Sequence, residues 1–416
     1  MMTGVRHDDL RRRNRALVVT AVRRSGQPSR TEMAAATGLS NSTISAIAAD
    51  LIEEGVLAEV RESGGGGASR RGRPQVALGL NPGFANVVAV MLTLNRLSAA
   101  VSDYAGRLLG EETVRLPTAT LERHELLAAI NECIATAIRR HGGGRRPARI
   151  ALAVQGITDA AAATMLWSPI TPGTDIPFSS LIGAEFGTPV TVENDCNMIA
   201  LALKWRAPQQ YGDDFFAILL SDGIGMGLML KGQIFSGTRS SAAEFGHMIH
   251  IPDGARCRCG RLGCIEAYAG NYAVTRNARG SDERDPPAAD VSEAELRALA
   301  DAARRSDGPE RAAFVKAGEA IGFGLGSLFA LFDPAPVAIV GHGALAFDIL
   351  EEPIRAAIAR TAGGQHSGAV SFEALPDETP LIREGCTMGA LTVVDREIVA
   401  PGTAAPANDA QASRIA

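Results

Sequence analysis

Apolar residues near the start of the chain recur at helical spacing, and the period changes before residue 90. In LRRRNRALVVTAVRRS (10–25), Leu10, Leu17, Val18, Ala21 and Val22 fall on one face of a helix. In the following SRTEMAAATGLSNSTISAIAADLIEEG, Ser29 and Glu32 are spaced as a capping box and Gly38 suits a C-terminal cap, which predicts a short helix between them. Ser40 can cap the next helix, where Ile44, Ile47, Ala48, Leu51 and Ile52 follow the i, i+3, i+4, i+7, i+8 stripe up to Gly55. VLAEVRES and PQVALGLNP then read as two strands flanking GGGGASRRGR. Helix, glycine turn, helix and a two-stranded wing together predict a winged helix-turn-helix.

From about residue 84 strands and helices alternate. FANVVAVMLTLNRLSAAVSDYAGRLL predicts a hairpin turning near Asn95 and a further turn at Tyr104–Gly106, and LERHELLAAINECIATAIRRH an amphipathic helix. RIALAVQG is a buried strand, TPVTVENDCNMIALALKW a strand running into a helix, and FFAILLSDGIGMGLMLKGQIF a second hairpin with a glycine-rich turn. ERAAFVKAGEAIGFGLGSLFALFDP is a helix leading into the strand PVAIVGHGAL. This is α/β organisation. The polar stretch 278–296 is expected as a surface loop and 399–416 as a disordered tail. Two domains result: 1–82 and a body over 83–398.

Charge changes the picture of the head. The net charge is −5 overall, but residues 1–82 hold 12 arginines against 8 acidic side chains, a balance of +4. An arginine-rich head on an acidic body points to a polyanion. The second helix opens with Asn41, Ser42, Thr43, Ser45 and Ala46, short side chains suited to phosphates and base edges in a major groove. In the wing, Arg70, Arg71 and Arg73 stand in an RGRP sequence similar to the core of minor-groove AT-hooks; lying on phosphates alone is the other reading. Double-stranded DNA is the expected partner. No run of eighteen apolar residues occurs and MMTGVRHDDLRRRNR lacks an apolar signal core, so a soluble cytoplasmic protein without a membrane partner is expected.

Six cysteines are present, and three of them cluster in CRCGRLGC (257–264), ten residues after a histidine. His247, Cys257, Cys259 and Cys264 supply one imidazole and three thiolates, a closed tetrahedral set for Zn²⁺. With no open position and three thiolate charges on the ion, the metal would be structural. His250 is a spare imidazole whose spacing suits the site less.

AAEFGH followed by CRCGRLGCIEA resembles the signature of the ROK family of repressors, open reading frames and sugar kinases, and the likeness runs from residue 10 to about 395. The resemblance implies a winged helix-turn-helix joined to an actin-like, ribonuclease H-like two-lobed sugar-kinase body. It also implies a homodimer or larger assembly, and a sugar or sugar derivative held between the lobes. Carried over by position, Asn194 and Asp195 match the family's Asn-Asp, Glu244 and His247 its Glu-x-Gly-His, Glu266 the glutamate after the last zinc cysteine, and Gly173 a loop glycine near the sugar. His247 would serve sugar through one nitrogen and zinc through the other, and Asp195, also a candidate helix N-cap, is the base in the kinases.

The kinases open their body with Asp-x-Gly-x-Thr, whereas this chain reads AVMLTLNRL, with Met91 in place of the aspartate and Thr93 in place of the glycine. Asp222 enters the surviving turn SDGIGMG, and the adenosine-side Gly-Gly reads Gly341-His342-Gly343. These departures predict a regulator of carbohydrate genes, a repressor by first expectation, rather than an enzyme. The alternative is an active ATP-dependent sugar kinase carrying a DNA-binding head.

Overall fold

The computed structural model describes residues 7–60, 76–237, 243–288, 291–365 and 370–399. The head begins with α1 (His7–Ser25), α2 (Arg30–Thr37) and α3 (Asn41–Glu53), followed by β1 (Leu57–Val60), which pairs antiparallel with β2 (Ala77–Leu80). The capping box forms: Glu32 N donates to Ser29 Oγ at 3.3 Å and Ser29 N to Glu32 Oε2 at 2.7 Å. Gly38 closes α2 in the left-handed region, at φ 71°. Ser40 caps α3, whose Ile44, Ile47, Ala48 and Leu51 are buried.

Helix α1 departs from the expected face. Leu10 and Leu17 are exposed, and the buried stripe is Arg15, Val18, Val19 and Val22. Arg15 takes an inward position because Glu54 neutralises it through two hydrogen bonds, so polarity alone misplaces the stripe by part of a turn. The wing tip with Arg70, Arg71 and Arg73 lies outside the described residues, as does 400–416.

The body holds two five-stranded sheets of one topology. In the first, β3 (Asn86–Thr93), β4 (Arg96–Asp103) and β5 (Leu108–Arg115) form an antiparallel meander. Helix α4 (Arg123–His141) crosses over to β6 (Arg149–Val154), parallel to β3. A small hairpin of β7 (Ile157–Thr158) and β8 (Met165–Trp167) and helix α5 (Phe178–Phe186) precede β9 (Val190–Asn194), which completes the order β5-β4-β3-β6-β9. Helices α6 (Asp195–Arg206) and α7 (Pro208–Tyr211) lead to the second lobe.

There β10 (Phe215–Leu220), β11 (Ile224–Leu230) and β12 (Gln233–Ile234) are antiparallel. After α8 (Glu266–Ala269), α9 (Asn271–Ala278), α10 (Glu293–Arg305) and α11 (Pro309–Phe332), β13 (Val337–Val340) runs parallel to β10. Then α12 (Phe347–Ala359), α13 (Ala362–Gln365) and β14 (Phe372–Leu375) complete the order β12-β11-β10-β13-β14. The last helix, α14 (Thr379–Val399), returns to the first lobe and packs on α6, β3 and β6. Strand β6 is apolar from Ile150 to Val154 because helices cover both faces of the parallel part.

Two details differ from expectation or refine it. The stretch 278–296 is not all loop: α9 includes Ala278, and Ser292 caps α10 from Glu293 by accepting from Glu295 N. Helix α11 is long and apolar enough to cross a bilayer by length and composition, yet 61% of its most apolar window is buried as the central helix of the second lobe. One apolar cluster runs from Val18 and Val22 of the head through Val87 and Met91 to Leu391 and Val394 of α14, so head and first lobe share a core.

Candidate functional site

Between the lobes lies a cleft of about 670 Å³, open mouth included, in the size range of small-molecule sites. It sits at the carboxyl ends of parallel strands: Gln155 and Gly156 follow β6, Asn194 and Asp195 follow the run of β9, and Gly223 and Ile224 form the β10–β11 turn. Asn194, Asp195, Glu244, His247 and Glu266 all line it. Gly173 does not; its loop reaches the lining through Trp167 and Pro169, and the Gly173 N–H is taken by Thr171 Oγ1.

The helix cap is Asn194, not Asp195. Asn194 Oδ1 accepts from Cys196 N at 2.8 Å and Asn197 N at 3.2 Å, while its Nδ2 donates to Gly156 O at 2.8 Å. Oxygen and nitrogen of that amide both help hold β6 and α6 together, with one N–H left over, so its first duty is to fix the cleft wall. Asp195, the first helical residue, turns its other oxygen free of the cap: only Oδ1 accepts from Cys196 N, at 2.9 Å. Its side chain is almost fully buried. Burial, above all, with Glu378 and Glu244 adding repulsion, pushes its carboxyl up to about 7 against the hydrogen bonds from Cys196. Burial also raises Glu244, helped by Glu266 and opposed by His247.

Glu266 is placed by the loop before it. Its Oε2 accepts from Ile224 N at 3.1 Å, and Tyr272 O–H donates to Oε1 at 3.3 Å. It follows Cys264 by two residues at the start of α8, so the fold of the cysteine loop sets its position. That loop is tight: Gly260 N donates to Cys257 O, Cys257 N to Arg261 O, and His250 N to Gly263 O. Gly263 is required twice over, having φ 83° and space so close that a Cβ would stand 1.9 Å from Ile251 O.

The four predicted ligands converge. One donor atom from each of His247, Cys257, Cys259 and Cys264 lies within 4.8 Å of the others. Cys257 Sγ is 3.7 Å from His247 Nδ1, and Cys259 Sγ is 3.9 Å from Cys264 Sγ. A tetrahedron with Zn–S bonds of ~2.3 Å has edges of about 3.8 Å, so the donor set fits zinc. The Cys257 thiol is raised by its hydrogen bond with Cys264 and by burial, as expected of crowded thiols that a cation would deprotonate. His250 is outside the cluster, packed edge-on to Tyr268 at 5.1 Å. His247 turns Nδ1 to the cysteines and Nε2 to Glu244, 3.9 Å away, in the cleft.

Sequence reasoning missed Gln155, Trp167, Asn197 and Ser236, which also line the cleft. The Trp167 ring stands edge-on to His247 at 6.3 Å. Gln155 was within reach of the rule that ligands gather at the carboxyl ends of parallel strands; Trp167 carries no local signal. In the head, Asn41, Ser42, Ser45 and Ala46 are exposed and Thr43 partly so, while the Ser42 and Thr43 hydroxyls each hydrogen-bond Ser40 Oγ at 2.8 Å.

Two lobes of one sheet topology, a polar cleft at their junction and a cysteine loop shared with that cleft define an actin-like sugar-kinase body. The chain belongs to the ROK family, which matches residues 87–396. It is 24% identical over 398 residues to the xylose repressor of Caldicellulosiruptor bescii, covering 93% of this chain and 96% of that one. It is 28% identical over 273 residues to the glucokinase of Streptomyces coelicolor, covering 62% of this chain and 83% of that one. In fold it is similar to a ROK family transcriptional regulator described as a homologue of the Escherichia coli MLC protein, with TM-score 0.76 and 22% identity, covering 94% of this chain and 98% of that one.

Proposed function

We propose that this protein is a transcriptional regulator, a repressor in its basal state, whose affinity for DNA is set by a sugar or sugar derivative bound between the lobes. The observation that carries this is the joining of a capped α3, exposed at its opening residues, in an arginine-rich head to a cleft lined by Asp195, Glu244, His247 and Glu266. The likeness to a repressor over 93% of the chain, against 62% for a glucokinase, supports it. On this reading residues 1–82 bind the operator, 83–398 bind sugar and associate as a homodimer or larger assembly, and 399–416 are a tail. A cytoplasmic location follows from that task.

In the head, Asn41, Ser42, Thr43 and Ser45 approach base edges and phosphates, and Arg70, Arg71 and Arg73 add wing contacts. In the cleft, Asp195, Glu244 and Glu266 accept from vicinal hydroxyls, and His247 Nε2 joins them. Asn194, on the cleft lining, joins them through the N–H not bonded to Gly156, and Gly173 belongs to the loop beside the sugar. Carboxylates aligned this way disfavour molecules lacking the hydroxyls they need. Zinc on His247, Cys257, Cys259 and Cys264 holds the loop that carries His247 and Glu266, a structural task. The base of the kinases, Asp195, is kept as a sugar acceptor.

The test is footprinting on DNA upstream of the protein's own gene, with and without a panel of neutral monosaccharides. A two-fold symmetric protected site that changes with one sugar supports the reading. No protection at moderate salt sinks it, and a coupled assay for sugar-dependent ATP turnover would then examine the kinase alternative.

A further inference from the structure

Two successive arginines at the end of α1 reach two helices, α6, which begins in the cleft, and α14, which begins beside it. Arg23 Nε and Nη2 donate to Asp395 of α14 at 2.7 and 2.8 Å, and its Nη1 donates to Tyr104 O at 2.8 Å. Tyr104 O–H donates to Asp395 Oδ1 at 2.6 Å, and the guanidinium lies 4.8 Å from the Tyr104 ring centre. All three residues are buried: Arg23 9% exposed, Asp395 9% and Tyr104 0%. Arg24 stands over the ring of Trp205, near the end of α6, at 5.7 Å.

The other end of α6 is in the cleft, and that of α14 lies next to it. Helix α6 starts at Asp195, and Glu378, just before α14, accepts from Ser221 Oγ at 3.1 Å and repels Asp195. At 1.5 Å per residue, α6 spans about 15 Å from Asp195 to Trp205, and α14 about 24 Å from Thr379 to Asp395. The two helices are already at closest approach and cannot come closer, because a Cβ on Gly385 of α14 would stand 2.0 Å from Met198 O of α6. Within the head, Arg11 bonds Asp50 at 2.7 Å and Arg15 bonds Glu54, tying α1 to α3.

We infer that Arg23, Asp395 and Tyr104 form the coupling joint of this protein: positioning residues through which a ligand in the cleft changes the placement of α3 on DNA. A rearrangement of α6 and α14 on sugar binding meets little that is soft before α1, since α14 lies directly against α6 at Gly385 and grips Arg23 through a buried ion pair. The joint is stiffest at Arg23, whose three nitrogens are all bonded inside the protein. Arg24 on Trp205 is a second, more exposed grip. This inference rests on the regulator reading and adds where the signal crosses from body to head.

The experiment measures operator affinity with and without D-xylose, D-glucose and N-acetyl-D-glucosamine, for full-length wild type, Asp395→Asn, Tyr104→Phe, Arg23→Lys and Trp205→Phe. Sugar affinity without DNA is measured alongside. Allosteric coupling is typically a factor of about 5–150. We expect Asp395→Asn to bring it below about 2 with sugar affinity unchanged, a split that loss of folding would not produce. Arg23→Lys keeps the charge without the two-pronged contact and should restore part of it. Should Asp395→Asn not fold, Tyr104→Phe, which removes one hydroxyl and keeps the ring, carries the test with Trp205→Phe. Folded variants that retain full coupling overturn the joint alone. A wild type whose DNA affinity ignores every sugar overturns the regulator reading and the joint with it.

Discussion

Replacing Asp195 by Asn should stabilise the protein while weakening sugar binding, with a gain that grows as pH rises. The folded carboxyl sits at about 7, against an ordinary 3.8. Between those values the unfolded chain ionises Asp195 and the folded one keeps it protonated, so raising the pH draws the equilibrium toward unfolding. The penalty is small near pH 4, grows through pH 7 and is constant above. Three units at ~1.4 kcal/mol each give about 4 kcal/mol at pH 8, and about 2 kcal/mol at pH 5.5. Asn keeps the acceptor for Cys196 N and removes the charge that Glu378 and Glu244 repel, so the variant escapes the penalty. Urea unfolding of both proteins at pH 5.5 and 8, with sugar titrations at each, checks this. A variant that is less stable at pH 8, or whose advantage is the same at both pH values, would refute the assignment of a buried, near-neutral carboxyl. The expected pairing of more stability with less binding is that of a site strained for its ligand.

Cys259→Ser should leave three ligands of four, lower zinc content by mass spectrometry and weaken sugar binding before DNA binding; normal sugar response in zinc-free protein would contradict the link through Glu266. Gly260 and Gly263 share a left-handed φ, 86° and 83°, but only Gly263 lacks room for a Cβ. Gly260→Ala should therefore cost about 1–2 kcal/mol from φ alone, while Gly263→Ala should cost clearly more and lose zinc to a chelator first; equal effects would show that the Ile251 contact does not matter. Changing Arg71 and Arg73 together to Ala should reduce the slope of log affinity against log salt by up to about 2, and an unchanged slope would mean the wing tip does not reach phosphates.

The parts of the fold that sequence conveyed well are those where local chemistry and packing agree. The capping box of α2, the stripe of α3 and both hairpin turns are each specified within a few residues, Asn95 even adopting the left-handed φ of 57° its turn needs. The cysteine loop was equally legible, because thiols at that spacing have few other uses. What failed was non-local. The α1 face was misplaced because Arg15 is inward only by virtue of Glu54, 39 residues away. Asp195 was offered as a cap, but Asn194 is drawn to that role by Gly156 across the sheet. Trp167 and Gln155 enter the cleft only once the lobes are assembled, and Gly173 stays out of its lining for the same reason.

On the regulator reading, β3 and the glycine-rich turn should be poor ground for a bound triphosphate. Met91 is 4% exposed and packs in the core that continues to α14, offering no ligand atom for a metal. Ser221 at the glycine-rich turn donates to Glu378, whose Oε2 is buried without a partner among the described residues. Asp222 adds a further carboxylate to the turn, where Arg258 is bonded to its backbone carbonyl at 2.8 Å. Phosphoryl transfer depends almost wholly on positioning and charge neutralisation, and turnover in kinases runs at about 1–100 per second. A triphosphate would meet carboxylates where the kinases supply amides and a metal. Sugar-dependent ATP turnover is therefore expected to be undetectable with Mg²⁺. Turnover within the kinase range, abolished by Glu378→Gln, would instead show that Glu378 had taken over the metal from β3 and would restore the enzyme reading.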